Sequence, residues 1–274
     1  MIETVATRVR EHYQATGLTD QIRSALATIA PEGQTLTVAQ LAPLDQLHIR
    51  GILATRELAA AAVLEPSSRV LDLGSGIGGP ARYFAASFGC RVTGVDLSPG
   101  FVDAATYLTA RCGLSDRVTF QTGDALDLPF EDGVFDAVFL QHVAMNIQDR
   151  AALYAEVHRI LTPGGRLATY DLVLRDGAVV YPVPWARDAT TSFLLDEAQT
   201  RSALKRAGLQ PVFWRDDSQT AIDWFAATLA GPSPNGPNLG AVLGPGFMAT
   251  TANLARNIRE HHLGVLSAVL TRGI

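Results

Sequence analysis

Three glycines spaced two apart, Gly74, Gly76 and Gly78, follow the run Val70-Leu71-Asp72-Leu73. Glycine has no Cβ, so the chain can turn tightly there and a ligand can approach the backbone. A helix that starts just after such a turn aims free N–H groups and the positive end of its dipole at that ligand. Asp96 stands 20 residues beyond Gly76. An acid closing the next strand at that distance accepts both hydroxyls of a ribose. A phosphate ligand fits less well. No Lys-Ser/Thr follows the glycines, and their spacing differs from the Gly-x-Gly-x-x-Gly of dinucleotide sites, which counts against a nicotinamide oxidoreductase. Asp72 beside the turn suits an ammonium and would repel a pyrophosphate. His142 is the one plausible general base. An ordinary imidazole titrates near 6.5, which suits either proton removal at neutral pH or a pocket wall that orients a substrate.

Strands and helices must hold these groups together. From residue 69, short β-branched runs (69–73, 91–95, 118–122, 135–141, 166–173, 211–215) alternate with amphipathic segments of helical length (79–88, 99–112, 149–161). This alternation predicts an α/β fold, a Rossmann-like, doubly wound parallel sheet with helices on both faces. Residues 1–66 read as an N-terminal helical cap, with a firm helix over 51–64. The core then runs over 67–274, with insertions around 176–195 and 220–262. The second insertion holds the Gly/Pro-rich stretch 231–246, and 264–272 is expected to be a closing strand.

The 274 residues are 47% apolar and 18% charged, with 22 basic and 27 acidic side chains and a net charge of −5. Lys205 is the only lysine. That balance argues against nucleic acid or an anionic membrane as partner. No apolar run reaches the ~18 residues of a membrane span. The two cysteines, Cys90 and Cys112, form no disulfide framework and have no metal-ligand spacing, and no His/Asp/Glu cluster has it either. A cytoplasmic protein without a metal is the expectation.

Asp72-Leu-Gly-Ser-Gly-Ile-Gly resembles the first motif of class I S-adenosylmethionine-dependent methyltransferases, and further motifs agree in order and spacing over roughly residues 46–173. The resemblance implies S-adenosylmethionine as cofactor and S-adenosylhomocysteine as product. It places Asp72, Gly74, Ser75, Gly76, Asp96, Leu97, Gly123, Asp124, Ala125 and Gln141 around the cofactor, with Asp124 on the adenine amino group. The segment Asp45-Gln-Leu-His-Ile-Arg-Gly51 and the helix after it resemble the small-molecule branch, which includes the sarcosine/dimethylglycine N-methyltransferases and sugar O-methyltransferases. There this segment folds over the cofactor, which brings in Gly51 and His48. Gln141-His-Val-Ala-Met-Asn146 falls where donor and acceptor meet, so His142 is the catalytic candidate. His48, Asn146, Asp171 and Trp185 are candidates for the acceptor site, Trp185 with Phe193 and Trp224 as an aromatic wall. An amine acceptor of the sarcosine/dimethylglycine kind is expected. The alternative is O- or C-methylation of a natural product or isoprenoid.

Overall fold

The computed structural model describes residues 5–13, 17–230, 238–240, 244 and 246–273. Four helices come first: α1 (Val5–His12), α2 (Leu18–Leu26), α3 (Val38–Asp45) and α4 (Ile52–Ala62). A capping box starts α3, in which Thr37 accepts from the Gln40 N–H and the Gln40 side chain accepts from the Thr37 N–H. Two otherwise free donors are satisfied together. The α2–α3 layer buries Leu18, Ile22, Leu26, Leu41 and Leu44 against Ile77, Phe101, Ala104 and Leu108. The cap is thereby seated on the end of the glycine turn.

The remaining elements are β1 (Arg69–Leu73), α5 (Gly79–Phe88), β2 (Arg91–Asp96), α6 (Pro99–Arg111), β3 (Val118–Thr122), β4 (Phe135–Gln141), α7 (Arg150–Ile160), β5 (Leu161–Leu174), α8 (Glu197–Arg206), β6 (Leu209–Asp216), α9 (Ser218–Ala230), α10 (Phe247–Arg259) and β7 (Leu263–Arg272). The seven strands lie in the order β3-β2-β1-β4-β5-β7-β6. Strands β1 to β5 pair in parallel, and the central β1 and β4, covered on both faces, are mostly apolar. Asp136 on β4 is a structural acid. It accepts the Arg69 N–H at 2.8 Å and ties β1 to β4 at their amino ends.

The expected wholly parallel sheet is corrected at one strand. β7 runs antiparallel between β5 and β6. Among the described residues α9 and α10 lie between β6 and β7, and β7 starts beside the carboxyl ends of β5 and β6, so the chain re-enters the sheet from the end at which it left β6. Most of the predicted 231–246 stretch lies outside the described residues.

Candidate active site

A cavity of about 700 Å³ opens at the carboxyl ends of β1 to β4, within the ~300–1,000 Å³ usual for small-molecule sites. Its place follows from the winding. The chain moves outward through β1, β2 and β3, then returns to the other side of β1 for β4, and the crevice forms at that reversal.

The glycine turn is held from below by β2. The Gly74 and Ser75 N–H groups both donate to the Val95 carbonyl, at 2.7 and 3.0 Å. Gly74, Gly76 and Gly78 have φ of 73°, 52° and 80°, a region in which only glycine is at ease. The space left by their missing Cβ atoms has a second use. A Cβ on Gly74 would strike Val143 of the turn after β4. One on Gly76 would come within 2.9 Å of Leu47, and one on Gly79 would strike the Asp45 carbonyl. The loop therefore receives protein segments as well as leaving room for a ligand.

The Asp96 carboxylate, at the end of β2, accepts from the Gly76 N–H at 2.8 Å and the Ser98 N–H at 2.9 Å. Burial pushes its pKa up to about 6 even so. Asp72 is more enclosed. Burial raises it to about 7, the nearby Asp96 adds to this, and its Oδ2 has no partner. Asp124, after β3, accepts the Leu126 N–H at 3.0 Å and is exposed at the cavity rim. The acids Asp124, Asp96 and Asp72 and the glycine turn thus fall in line across β3, β2 and β1.

Beyond β4 the chain turns sharply. His142 has a left-handed backbone, φ 54°, and its N–H donates to the Tyr170 carbonyl at 2.8 Å. Its ring stacks on Tyr170, with centroids 5.4 Å apart and planes 9° from parallel. His142 is half-buried on the cavity wall and its Nε2 has no partner. Burial, with His48 as a lesser cause, holds this imidazole well below its ordinary range, so it is neutral at pH 7. Asp171 anchors the turn by accepting the Ala144 N–H at 2.8 Å.

The covering segment between α3 and α4 is clamped at several points. Arg82 of α5 donates to Asp45 at 2.8 Å, and both are fully buried. His48 Nε2 lies 3.0 Å from both the Gly51 carbonyl and Thr55 Oγ1 and 3.1 Å from Gln141 Nε2. Burial lowers His48 to about 4. Farther along, Arg50 pairs with Glu57, which also binds Arg215.

Thirteen of the expected residues line the cavity: His48, Asp72, Gly74, Ser75, Gly76, Asp96, Leu97, Gly123, Asp124, Ala125, Gln141, His142 and Asn146. Gly51, Asp171 and Trp185 do not. Gly51 stands behind His48, Asp171 is turned to backbone N–H groups, and Trp185 is core, its indole N–H on Ser192 Oγ at 3.0 Å. Sequence reasoning missed Val9 and Tyr13 of the α1 segment, which close the cavity. Their spacing of four, one helical face, was the available signal. Next to Tyr13, His12 contacts the Pro184 carbonyl at 2.9 Å.

Of the buried side-chain polar atoms without a partner, those of Asp72, Ser75, Gln141, His142 and Asn146 belong to cavity residues. Folded proteins leave few such atoms, and their concentration here marks a site whose ligand completes the bonding. Among the described residues no three His, Cys, Asp or Glu side chains gather as a metal site, and no helix is long and apolar enough to cross a membrane.

Residues 71–169 match a family described as a methyltransferase domain. Sterol 24-C-methyltransferase of Saccharomyces cerevisiae is 30% identical over 179 residues, covering 61% of this chain and 46% of the yeast protein. The match thus spans less than half of that relative's length. In structure the chain is similar to geranyl diphosphate C-methyltransferase of Streptomyces coelicolor A3(2) (TM-score 0.71, 16% identity, covering 99% of this chain and 98% of that one). It is also similar to a phosphoethanolamine N-methyltransferase of Haemonchus contortus (TM-score 0.72, 21% identity, covering 97% and 61%).

Proposed function

We propose that this chain, whose residues 71–169 are a methyltransferase domain in a class I S-adenosylmethionine-dependent fold, methylates a hydroxyl or acidic carbon of a small molecule without anionic groups. One observation carries the acceptor reading. A neutral His142 stands with Nε2 unpartnered on the wall of a cavity that apolar Val9, Val143 and Ile147 also line. Such an imidazole can take the proton that a hydroxyl or carbon acid must lose. Apart from Asp45, which is paired with Arg82, the acidic side chains lining the cavity, Asp72, Asp96, Asp124 and Asp149, have no ion pair among the described residues. They would repel a carboxylate or phosphate on the acceptor.

When bound, S-adenosylmethionine supplies a methyl group already activated by its sulfonium charge. The protein's share is alignment and exclusion of water. Val143, seated on Gly74, and His142, seated on Tyr170, fix the acceptor wall against the cofactor turn. An amine acceptor is the second reading, because a carboxylate-lined cavity attracts ammonium and a free amine needs no base. Incubation with methyl-labelled S-adenosylmethionine and an acceptor panel tests both. Label is expected in uncharged hydroxylated or enolisable isoprenoids and natural products. Faster labelling of sarcosine or dimethylglycine would overturn the first reading.

Two results follow for the cofactor end. Asp96→Asn should weaken S-adenosylhomocysteine binding by about 10- to 100-fold, the worth of a charge-assisted hydrogen bond. An unchanged dissociation constant by calorimetry would remove Asp96 from the site. Binding should also depend on pH. Asp72 at about 7 and Asp96 at about 6 lie above the ordinary carboxylate range. The free protein therefore carries stability below pH ~4 that is lost as pH rises through 6 and 7. A ligand that prefers the ionised carboxylates binds better as those protons leave. The dissociation constant of S-adenosylhomocysteine should fall by roughly 10-fold from pH 6 to pH 8. A flat profile would show that neither acid meets the ligand.

A further inference from the structure

The unpartnered Oε1 of Gln141 can be traced to a buried ion pair on the far side of the covering segment. Asp45 is paired with Arg82 at 2.8 Å, and a carboxylate in that state only accepts. Gln46 therefore turns its amide nitrogen to Asp45, at 3.2 Å. Its carbonyl is left to accept the Thr55 hydroxyl, at 2.8 Å. Thr55 has one proton and has spent it, so its oxygen accepts from Gln141 Nε2, at 3.3 Å. The second N–H of Gln141 meets His48 Nε2 at 3.1 Å, where the neutral ring can offer a lone pair. Every member is buried. The direction of each bond is set by the one before it, and the chain ends with a carbonyl oxygen at the cavity and nothing to accept.

The sheet order says what that oxygen faces. Asp124 and Asp96, after β3 and β2, take the adenosine end, so the amino-acid end of the cofactor lies over β1 and β4. Those neighbouring strands carry two unpartnered acceptors, Asp72 Oδ2 and Gln141 Oε1. An ammonium has three N–H donors and no acceptor. We infer that Gln141 accepts a hydrogen bond from the α-ammonium of the cofactor, and that Thr55 and Gln46 are positioning residues that fix this polarity from the Asp45–Arg82 pair. The inference rests on S-adenosylmethionine being the cofactor. Two contacts oppose it. The Gly51 carbonyl and Thr55 Oγ1, whose proton is spent on Gln46, each lie 3.0 Å from the same His48 nitrogen. A proton placed there would turn the Gln141 amide over, offering an N–H to the cofactor's carboxylate.

Calorimetry with S-adenosylhomocysteine, its deaminated analogue and its decarboxylated analogue decides the matter without an acceptor. The wild type is expected to prefer S-adenosylhomocysteine over the deaminated compound by 10-fold or more. Gln141→Leu should narrow that preference at least 3-fold while leaving the affinity for the deaminated compound within 2-fold. The near-isosteric Thr55→Val should act in the same sense through Gln141, a change that general loosening of the site would not produce. Gln141→Glu keeps an acceptor and should keep the preference. An unchanged preference in Gln141→Leu overturns the inference. So does a Gln141→Leu variant that loses discrimination against the decarboxylated compound instead. If the wild type binds none of the three, the cofactor reading has failed and takes the inference with it. Binding without preference between the first two defeats the inference alone.

Discussion

His142→Ala should lower turnover by about 10²–10⁴-fold while leaving S-adenosylhomocysteine affinity nearly unchanged. The expectation comes from its setting. The imidazole is stacked on Tyr170 at 5.4 Å and its backbone is pinned at 2.8 Å to the Tyr170 carbonyl. Its depressed pKa keeps it neutral, and so able to take a proton, throughout the physiological range. Taking that proton is made easier by charge conservation. With His142 as the base, the positive charge lost at the donor sulfur would reappear on the imidazole, and the cavity's net charge would not change during transfer. His142→Gln should be almost as slow, since a carboxamide has no comparable basicity. Steady-state kinetics with whichever acceptor takes up label give the answer. A raised Michaelis constant with unchanged turnover would make His142 an orienting wall and favour an amine acceptor. Values near wild type for both constants would remove it from the reaction.

The other large effect is on stability. Arg82→Met should cost about 3–5 kcal/mol, because it leaves Asp45 charged and buried without its cation. Arg82 also donates to the Ile77 and Ala105 carbonyls at 2.8 and 3.2 Å and to Thr109 at 3.1 Å, so one side chain ties α3, α5, α6 and the glycine turn together. A protein of this size should lose on the order of 10 °C in melting temperature. Replacing both partners, Arg82→Met with Asp45→Leu, should recover much of that loss, since the isolated charge is the expensive part. A single variant that melts within a degree or two of wild type would show that the pair contributes nothing to the fold. If the double variant regains stability but stays weak for S-adenosylhomocysteine, the pair's service to the site is separated from its service to folding.

The central strands were legible because parallel strands covered on both faces are written in apolar, β-branched runs; β1 to β4 appear within one residue of their predicted bounds, while β5 begins at Leu161, five residues earlier than expected. Helix α8 was not read, since its exposed face makes it strongly polar. Its sign was the capping box, Asp196 with Gln199 three residues on. The reversed direction of β7 could not be read, because strand residues look alike in either direction. In the site, the carboxylates after strands were visible from spacing alone. The Asp45–Arg82 pair was not. Its partners are 37 residues apart and meet only once α3 lies across α5. Nor does residue type reveal that Gly79 makes room for the Asp45 carbonyl rather than for a ligand. The drop in imidazole basicity at His142 also needs the packed surroundings, because it comes from burial.

The placement of β7 bears on how the molecule comes into being. Translation releases β6 well before residues 263–272, yet among the described residues β6 pairs with β7 alone. Until those ten residues leave the ribosome, β6 is an unpaired ribbon, and β5 shows a bare edge on that side. Unpaired edges of this kind are where nascent chains associate wrongly. In the folded sheet β7 completes two pairings at once, with β5 on one side and β6 on the other. Yield in expression should therefore be far more sensitive to substitutions in 263–272 than to comparable ones in β3 at the opposite edge.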